Sequence, residues 1–147
     1  MRKLAPDTKI GDEFTGKRKT ISEARVFAFS GGRMNAPGWP AKNIHTDLGF
    51  ARSCGLQTRS VSGTQYMGYL IELMVDLFGE NWLSHGKMDL KFVAIVDVED
   101  SLLTKAVVTS KELEGSGTRF VLDMWCENQH GNKVAVGTAM GLILSNL

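Results

Sequence analysis

The sequence predicts an α+β protein in which an antiparallel sheet wraps around one long central α-helix. Three observations predict it. Residues 64–78 read TQYMGYLIELMVDLF, apolar on nearly every side, with Glu72 and Asp76 four apart on one narrow stripe. A helix that is hydrophobic almost all round is a buried one. Four long segments then follow, residues 88–98, 102–113, 117–128 and 133–144, with the composition of strands. In the third, Phe120, Leu122, Met124 and Cys126 take one face while Arg119, Asp123 and Glu127 take the other. That period of two belongs to a half-buried antiparallel strand.

The remaining elements follow in chain order. Residues 13–20 read as an edge strand. Thr20-Ile21-Ser22-Glu23 fits the S/T-x-x-E capping box, which satisfies free N–H groups and opens a helix through residue 29. Ser30-Gly31-Gly32 ends it. Gly31, Gly32, Pro37, Gly38 and Pro40 then crowd one stretch, which reads as an irregular loop. Asp47 is a suitable N-cap for a short helix over 48–53, closed by Cys54-Gly55. Gly79 is the natural end of the long helix. Glu114-Gly115-Ser116 and Gln129-His130-Gly131-Asn132 are turns between strands. No repeat, linker or low-complexity segment interrupts the chain.

Composition narrows the classes. A chain of 147 residues is most simply one domain spanning 1–147, long enough to bury a core. Its 43% hydrophobic and 22% charged residues describe a soluble globular protein, and a net charge of +1 gives no reason to invoke nucleic acid or an anionic membrane. The basic run Gly16-Lys17-Arg18-Lys19-Thr20 sits at a strand end and reads as a solvated edge. Cys54 and Cys126 form no CxxC, and His45, His85 and His130 have no metal-ligand spacing with them, so neither a metal nor another cofactor is expected. Two buried or half-buried free thiols suit a reducing compartment. With no signal-like N-terminus and no apolar run near the ~20 residues of a membrane span, a cytoplasmic location is expected.

Two short motifs carry chemistry. Asn43-Ile44-His45-Thr46-Asp47 puts a lone histidine before a helix, and Val61-Ser62-Gly63-Thr64 puts a glycine at the start of the long apolar helix, eighteen residues after His45. A histidine titrates near neutrality and serves as acid or base. A glycine at a helix N-terminus lets a ligand approach free backbone N–H groups.

These residues resemble a known family. His45-Thr46-Asp47 followed by Phe50-Ala51 is similar to the "NPiHxD…fA" pattern of MaoC-like hydratases and dehydratases, the (R)-specific enoyl-CoA hydratase branch of the hot-dog fold. Ser62-Gly63 stands where that family has an "HG" pair. Thr20 to Glu23 and Val26 to Gly32 look like its "tiTe…v..Fa..sGD". Leu90-Lys91-Phe92 and Val96 to Asp100 look like the strand before its "P-v..GD". The resemblance covers nearly the whole chain and departs from the family in one respect that matters to the chemistry. The family's catalytic Asp would fall at Gly32, or at Pro40 if the match is anchored on His45. An eight-residue insertion separates the two anchors, and no Asp or Glu occurs from Ala24 to Thr46.

The resemblance implies a hot-dog domain working as a homodimer, a lyase that hydrates or dehydrates an enoyl or hydroxyacyl thioester of CoA or acyl carrier protein. It implies His45 as the acid/base and the Gly63 N–H as an oxyanion donor, with Ser62 or Asn43 as polar support and Tyr66 as a further helper. The inserted loop, residues 32–42, carries Arg33 and Trp39 as substrate-binding candidates and reads either as a lid or as a surface loop with one anchoring Trp. Asp47 could substitute for the missing carboxylate, but an N-cap role explains it. Glu72 and Asp76 leave open a hot-dog acyl-CoA thioesterase. The lost carboxylate leaves open a specialised module that binds a small ligand without thioester hydration.

Overall fold

The structure, a computed structural model, describes residues 3–144. Strand β1 (Glu13–Thr15) and strand β2 (Lys19–Thr20) lead into helix α1 (Glu23–Ser30). After a long loop come α2 (Leu48–Ser53), the central α3 (Gly63–Phe78) and a short α4 (Asn81–His85). Strands β3 (Lys87–Phe92), β4 (Ser101–Glu114), β5 (Gly117–Glu127) and β6 (Lys133–Leu144) complete the chain. The sheet runs β1-β4-β5-β6-β3, antiparallel throughout, with β2 also paired to β4. Among the described residues no helix is long and apolar enough to cross a membrane.

The sheet wraps α3 because alternate strand residues and one helix face are apolar together. Leu102, Ala106 and Val108 of β4 and Phe120, Leu122, Met124 and Cys126 of β5 point inward, against Tyr66, Leu70, Leu73, Met74, Leu77 and Phe78 of α3. Each large apolar side chain removed from water adds about 1.5–3 kcal/mol, which makes this contact the main source of stability. The helix is less enclosed than its sequence suggests. Thr64, Gly68 and Val75 form an exposed stripe, with Met67 and Ile71 half-buried beside it.

Several boundaries differ from the sequence reading, each for a tertiary reason. The edge strand over 13–20 is split. Thr15 pairs with Lys105 and Lys19 with Leu102, so three residues on one strand oppose two on the other, and the chain bulges at Lys17-Arg18. The N-cap of α1 is Ser22, not Thr20. Ile21 donates to the Asp100 carbonyl at 2.9 Å and accepts from the Glu99 N–H at 2.9 Å, which holds the chain extended until Ser22. Ser22 Oγ then accepts from the Arg25 N–H, and Glu99, from a distant loop, takes the Glu23 N–H at 2.9 Å. The strand over 88–98 stops at Phe92, because Val93 and Ala94 both turn their N–H groups onto the one carbonyl of Val134. Helix α4 was not expected. Cys126 is buried, but Cys54 is exposed rather than half-buried. Asp47 caps α2 as expected, its Oδ1 accepting from Phe50 N at 2.7 Å.

Candidate functional site

His45 is held by a turn that its own neighbours build. Asn43 Oδ1 accepts from the N–H groups of His45 (2.8 Å) and Thr46 (3.2 Å). Thr46 Oγ1 accepts from Asn43 N at 3.1 Å and donates to the Ala41 carbonyl at 2.6 Å. An Asn side chain closing backbone two residues on is the usual way such a turn is fixed. Asn43 Nδ2 donates to the Ser30 carbonyl at 2.8 Å, tying the turn to the C-terminal end of α1. Both ends of the Asn43 amide are therefore engaged by backbone. These contacts hold the turn that carries His45.

The half-buried ring of His45 lies with Nδ1 2.6 Å from the Ser60 carbonyl oxygen. A carbonyl can only accept, so Nδ1 carries the proton. The neutral imidazole then presents the lone pair of Nε2, the form a general base requires. Three residues after Ser60 the chain enters α3 at Gly63. One short segment thus both orients the imidazole and opens the central helix.

Gly63 is the first residue of α3, and the N–H groups of a first helical turn have no partner within the helix. With the helix dipole they make a place where negative charge is stabilised. A cleft of about 410 Å³ lies between Ser60-Val61 and Gly63 on one side and the loop from Phe92 to Val96 on the other. Phe92 roofs it. A Cβ on Gly63 would stand 3.0 Å from the Phe92 ring, which would have to give by a few tenths of an ångström. Phe92 also meets the Tyr66 ring edge-on, centroids 5.4 Å apart. Tyr66 lines the same cleft, and its phenol is pushed up to about 12 by burial, with a smaller push from Cys126. It stays a neutral hydrogen-bonding group across the physiological range. Cys126, on the inner face of β5, is pushed up to about 12 as well, by burial first and Glu127 second, and is an inert thiol.

The other predicted residues fall elsewhere. Ser62 is the N-cap residue of α3, but its hydroxyl pairs with Thr64 Oγ1 at 2.8 Å and caps no backbone N–H. Ala41 N–H donates to the Gly31 carbonyl at 2.9 Å, closing the inserted loop at its neck. Gly32 and Pro40, the two positions at which the family Asp could fall, therefore flank one closure, and the insertion leaves the body of the protein between them. A Cβ on Gly31 would stand 2.8 Å from Pro40 and 3.0 Å from Trp39 Nε1, so this neck also needs a glycine. Arg33 is exposed on the loop and lines neither the Gly63 cleft nor any other described cavity. Trp39 folds back edge-on to Phe27, centroids 6.2 Å apart, with Nε1 buried and unpartnered. Trp39 is the anchor of a surface loop. Glu72 is ion-paired with Lys19, whose ammonium also lies over the Tyr69 ring. Asp76 borders a separate small cavity with Lys3 and Lys17.

Sequence reasoning missed Ser60, whose carbonyl sets the tautomer, and Phe92, which roofs Gly63. Neither carries a motif, since one acts through its backbone and the other by packing. It also missed Arg59, whose guanidinium contacts the Glu23 carboxylate, the Thr46 carbonyl and the face of Phe27.

Known structures share the fold. No family model and no curated protein sequence matches the chain. Solved structures do. A MaoC-like dehydratase from Rhodospirillum rubrum superposes with a TM-score of 0.76 at 19% identity, covering 96% of each chain. The (R)-hydratase PhaJ1 from Pseudomonas aeruginosa gives 0.74 at 18% identity, over 95% of this chain and 84% of that one. The (R)-hydratase from A. caviae involved in PHA biosynthesis gives 0.67 at 21% identity, over 96% and 100%. The chain has the MaoC-like hot-dog fold. That is the architecture shared by these dehydratases and hydratases, at identities that establish the fold itself.

Proposed function

We propose that this chain is a MaoC-like hydratase/dehydratase that interconverts a 2-enoyl and a 3-hydroxyacyl thioester of CoA or acyl carrier protein. The observation that carries the reading is the Nδ1 contact of His45 with the Ser60 carbonyl, which leaves Nε2 as the basic nitrogen and ties the imidazole to the segment that leads into α3. In the hydration direction His45 Nε2 takes a proton from water as the water oxygen bonds to C3. The electrons of the double bond move toward the thioester carbonyl, whose oxygen gains charge and is stabilised by the N–H groups at Gly63. The imidazolium then returns its proton to C2, and the enolate collapses to the 3-hydroxyacyl thioester. One imidazole takes and gives the same proton, so the cycle balances without the carboxylate that the family pattern has and residues 24–46 lack.

The reading includes a single domain, a cytoplasmic location and a homodimer. The dimer is supported by the outer edge of β3, which ends the described sheet, and by Phe92, Val93 and Ile95 exposed at its end. The test is turnover of 2-enoyl-CoA substrates of graded length, followed by mass spectrometry for addition of water. His45→Ala should lower kcat by ~10²–10⁴-fold with the fold intact by circular dichroism. Full turnover in that variant sinks the assignment.

A further inference from the structure

A second cleft, of about 360 Å³, lies between α1 and the first turns of α3, lined by Arg25, Ala28, Phe29, Gln65 and Tyr69. Its floor holds an anomaly. Gln65 is 7% exposed, and its side-chain Oε1 is buried with no hydrogen-bond partner. Its backbone N–H is already settled on the Ser62 carbonyl at 3.0 Å, so the unsatisfied atom is the side-chain Oε1. Leaving a buried amide unpaired costs free energy that a Leu or Met of similar volume would not incur. A polar group kept at such a place is explained by a partner that arrives from outside.

Location says what the partner belongs to. Gln65 is two residues past Gly63, on the same first turn. On the other wall, Phe29 adjoins Ser30, whose carbonyl holds the Asn43 amide of the His45 turn. The cleft is thus built on the same first turn as Gly63 and on the residue next to the one that holds the His45 turn. An acyl chain leaving a thioester carbonyl at the N-terminus of α3 has this space between the helices to enter. Phe29, 52% exposed, and Tyr69 offer apolar walls for methylenes, and Gln65 offers an amide. We propose that the α1–α3 cleft is the acyl site and that Gln65 reads a hydroxyl on the acyl chain, so that this chain prefers hydroxylated acyl thioesters to plain alkyl ones. A hydroxyl both donates and accepts, and it therefore satisfies the amide whichever way its oxygen and nitrogen are turned.

This rests on the hydratase reading, and the experiment separates the two. Matched pairs of saturated acyl-CoAs, identical except for a terminal hydroxyl or methyl and of increasing chain length, are titrated by calorimetry. The corresponding 2-enoyl pairs are assayed for hydration. Wild type should bind one hydroxylated member about tenfold or more tighter than its partner. Gln65→Leu should bring that ratio to one or below, with thermal stability unchanged or raised, because an unpaired amide has been removed. Gln65→Met provides the same test should the Leu variant misfold. A wild-type ratio of one at every length, or a ratio unmoved in both variants, overturns the proposal, as does failure of every saturated thioester to bind. A binding ratio that persists while no enoyl thioester is hydrated overturns the hydratase reading instead and keeps Gln65 as a ligand contact.

Discussion

At the scale of residues the proposed site rests on two groups, the imidazole of His45, whose Nδ1 is held by the Ser60 carbonyl, and the N–H at the start of α3. Their places in the fold were legible from sequence, because a histidine before a cap and a glycine before an apolar helix announce themselves. Their positioning was not, because it runs through a backbone carbonyl and through the two-sided use of the Asn43 amide. Gly63 packs against Phe92 and, on the proposed reading, also gives access to the helix N-terminus, and one substitution separates its loss from that of a mere turn residue. Gly63→Ala puts a methyl 3.0 Å from Phe92. The ring must move, at a cost of about 1–3 kcal/mol by chemical denaturation, and kcat/KM should fall about tenfold or more as the approach to the N–H groups narrows. Unchanged kcat/KM in a folded Gly63→Ala enzyme would leave the glycine no role beyond the turn.

Among the elements, α2 poses a question that its cap answers. Asp47 is the first carboxylate after His45 in the sequence and invites a catalytic reading, yet its Oδ1 accepts from Phe50 N at 2.7 Å. Asn caps a helix about as well as Asp, and Ala does not. Asp47→Asn should therefore retain both stability and turnover, while Asp47→Ala loses about 1 kcal/mol in urea unfolding. If Asp47→Asn instead abolishes turnover, the carboxylate is chemical after all. The same scale shows why α1 begins later than its capping box suggests. A local motif offered a start at Thr20, but the pairing of Ile21 with Glu99 and Asp100 supplied two hydrogen bonds to an extended chain. Non-local partners outweighed a local propensity.

At the level of the whole molecule, the order β1-β4-β5-β6-β3 leaves β3 with a neighbour on one side only, β6, among the described residues. A free edge next to exposed Phe92, Val93 and Ile95 is a template for pairing, and a second copy related by a two-fold axis is the closed way to cover it. Light scattering after size exclusion should give twice the mass of one chain at micromolar concentration. Ile95→Asp, which puts a charge on the exposed apolar end of this edge, should shift the mass toward one chain. A wild-type particle with the mass of a single chain would remove the dimer.

By itself the sequence determined the elements whose signals are local and strong. The period of two in β5, the apolar run of α3, the cap at Asp47 and the glycine stops are properties of neighbouring residues, and short-range sterics and hydrogen bonds dictate them whatever the rest of the chain does. The tertiary structure alone decided what depends on residues far apart. It split the first strand by its register against β4, ended β3 on one shared carbonyl of Val134, and exposed Thr64, Gly68 and Val75 on a helix that reads as apolar nearly all round. It also closed the insertion at Gly31 and Ala41, gave His45 its tautomer through Ser60, and left Gln65 unpaired between two helices. A hydrogen bond or a missing partner across tens of residues has no trace in local composition. It comes into being only when the sheet has closed around its helix.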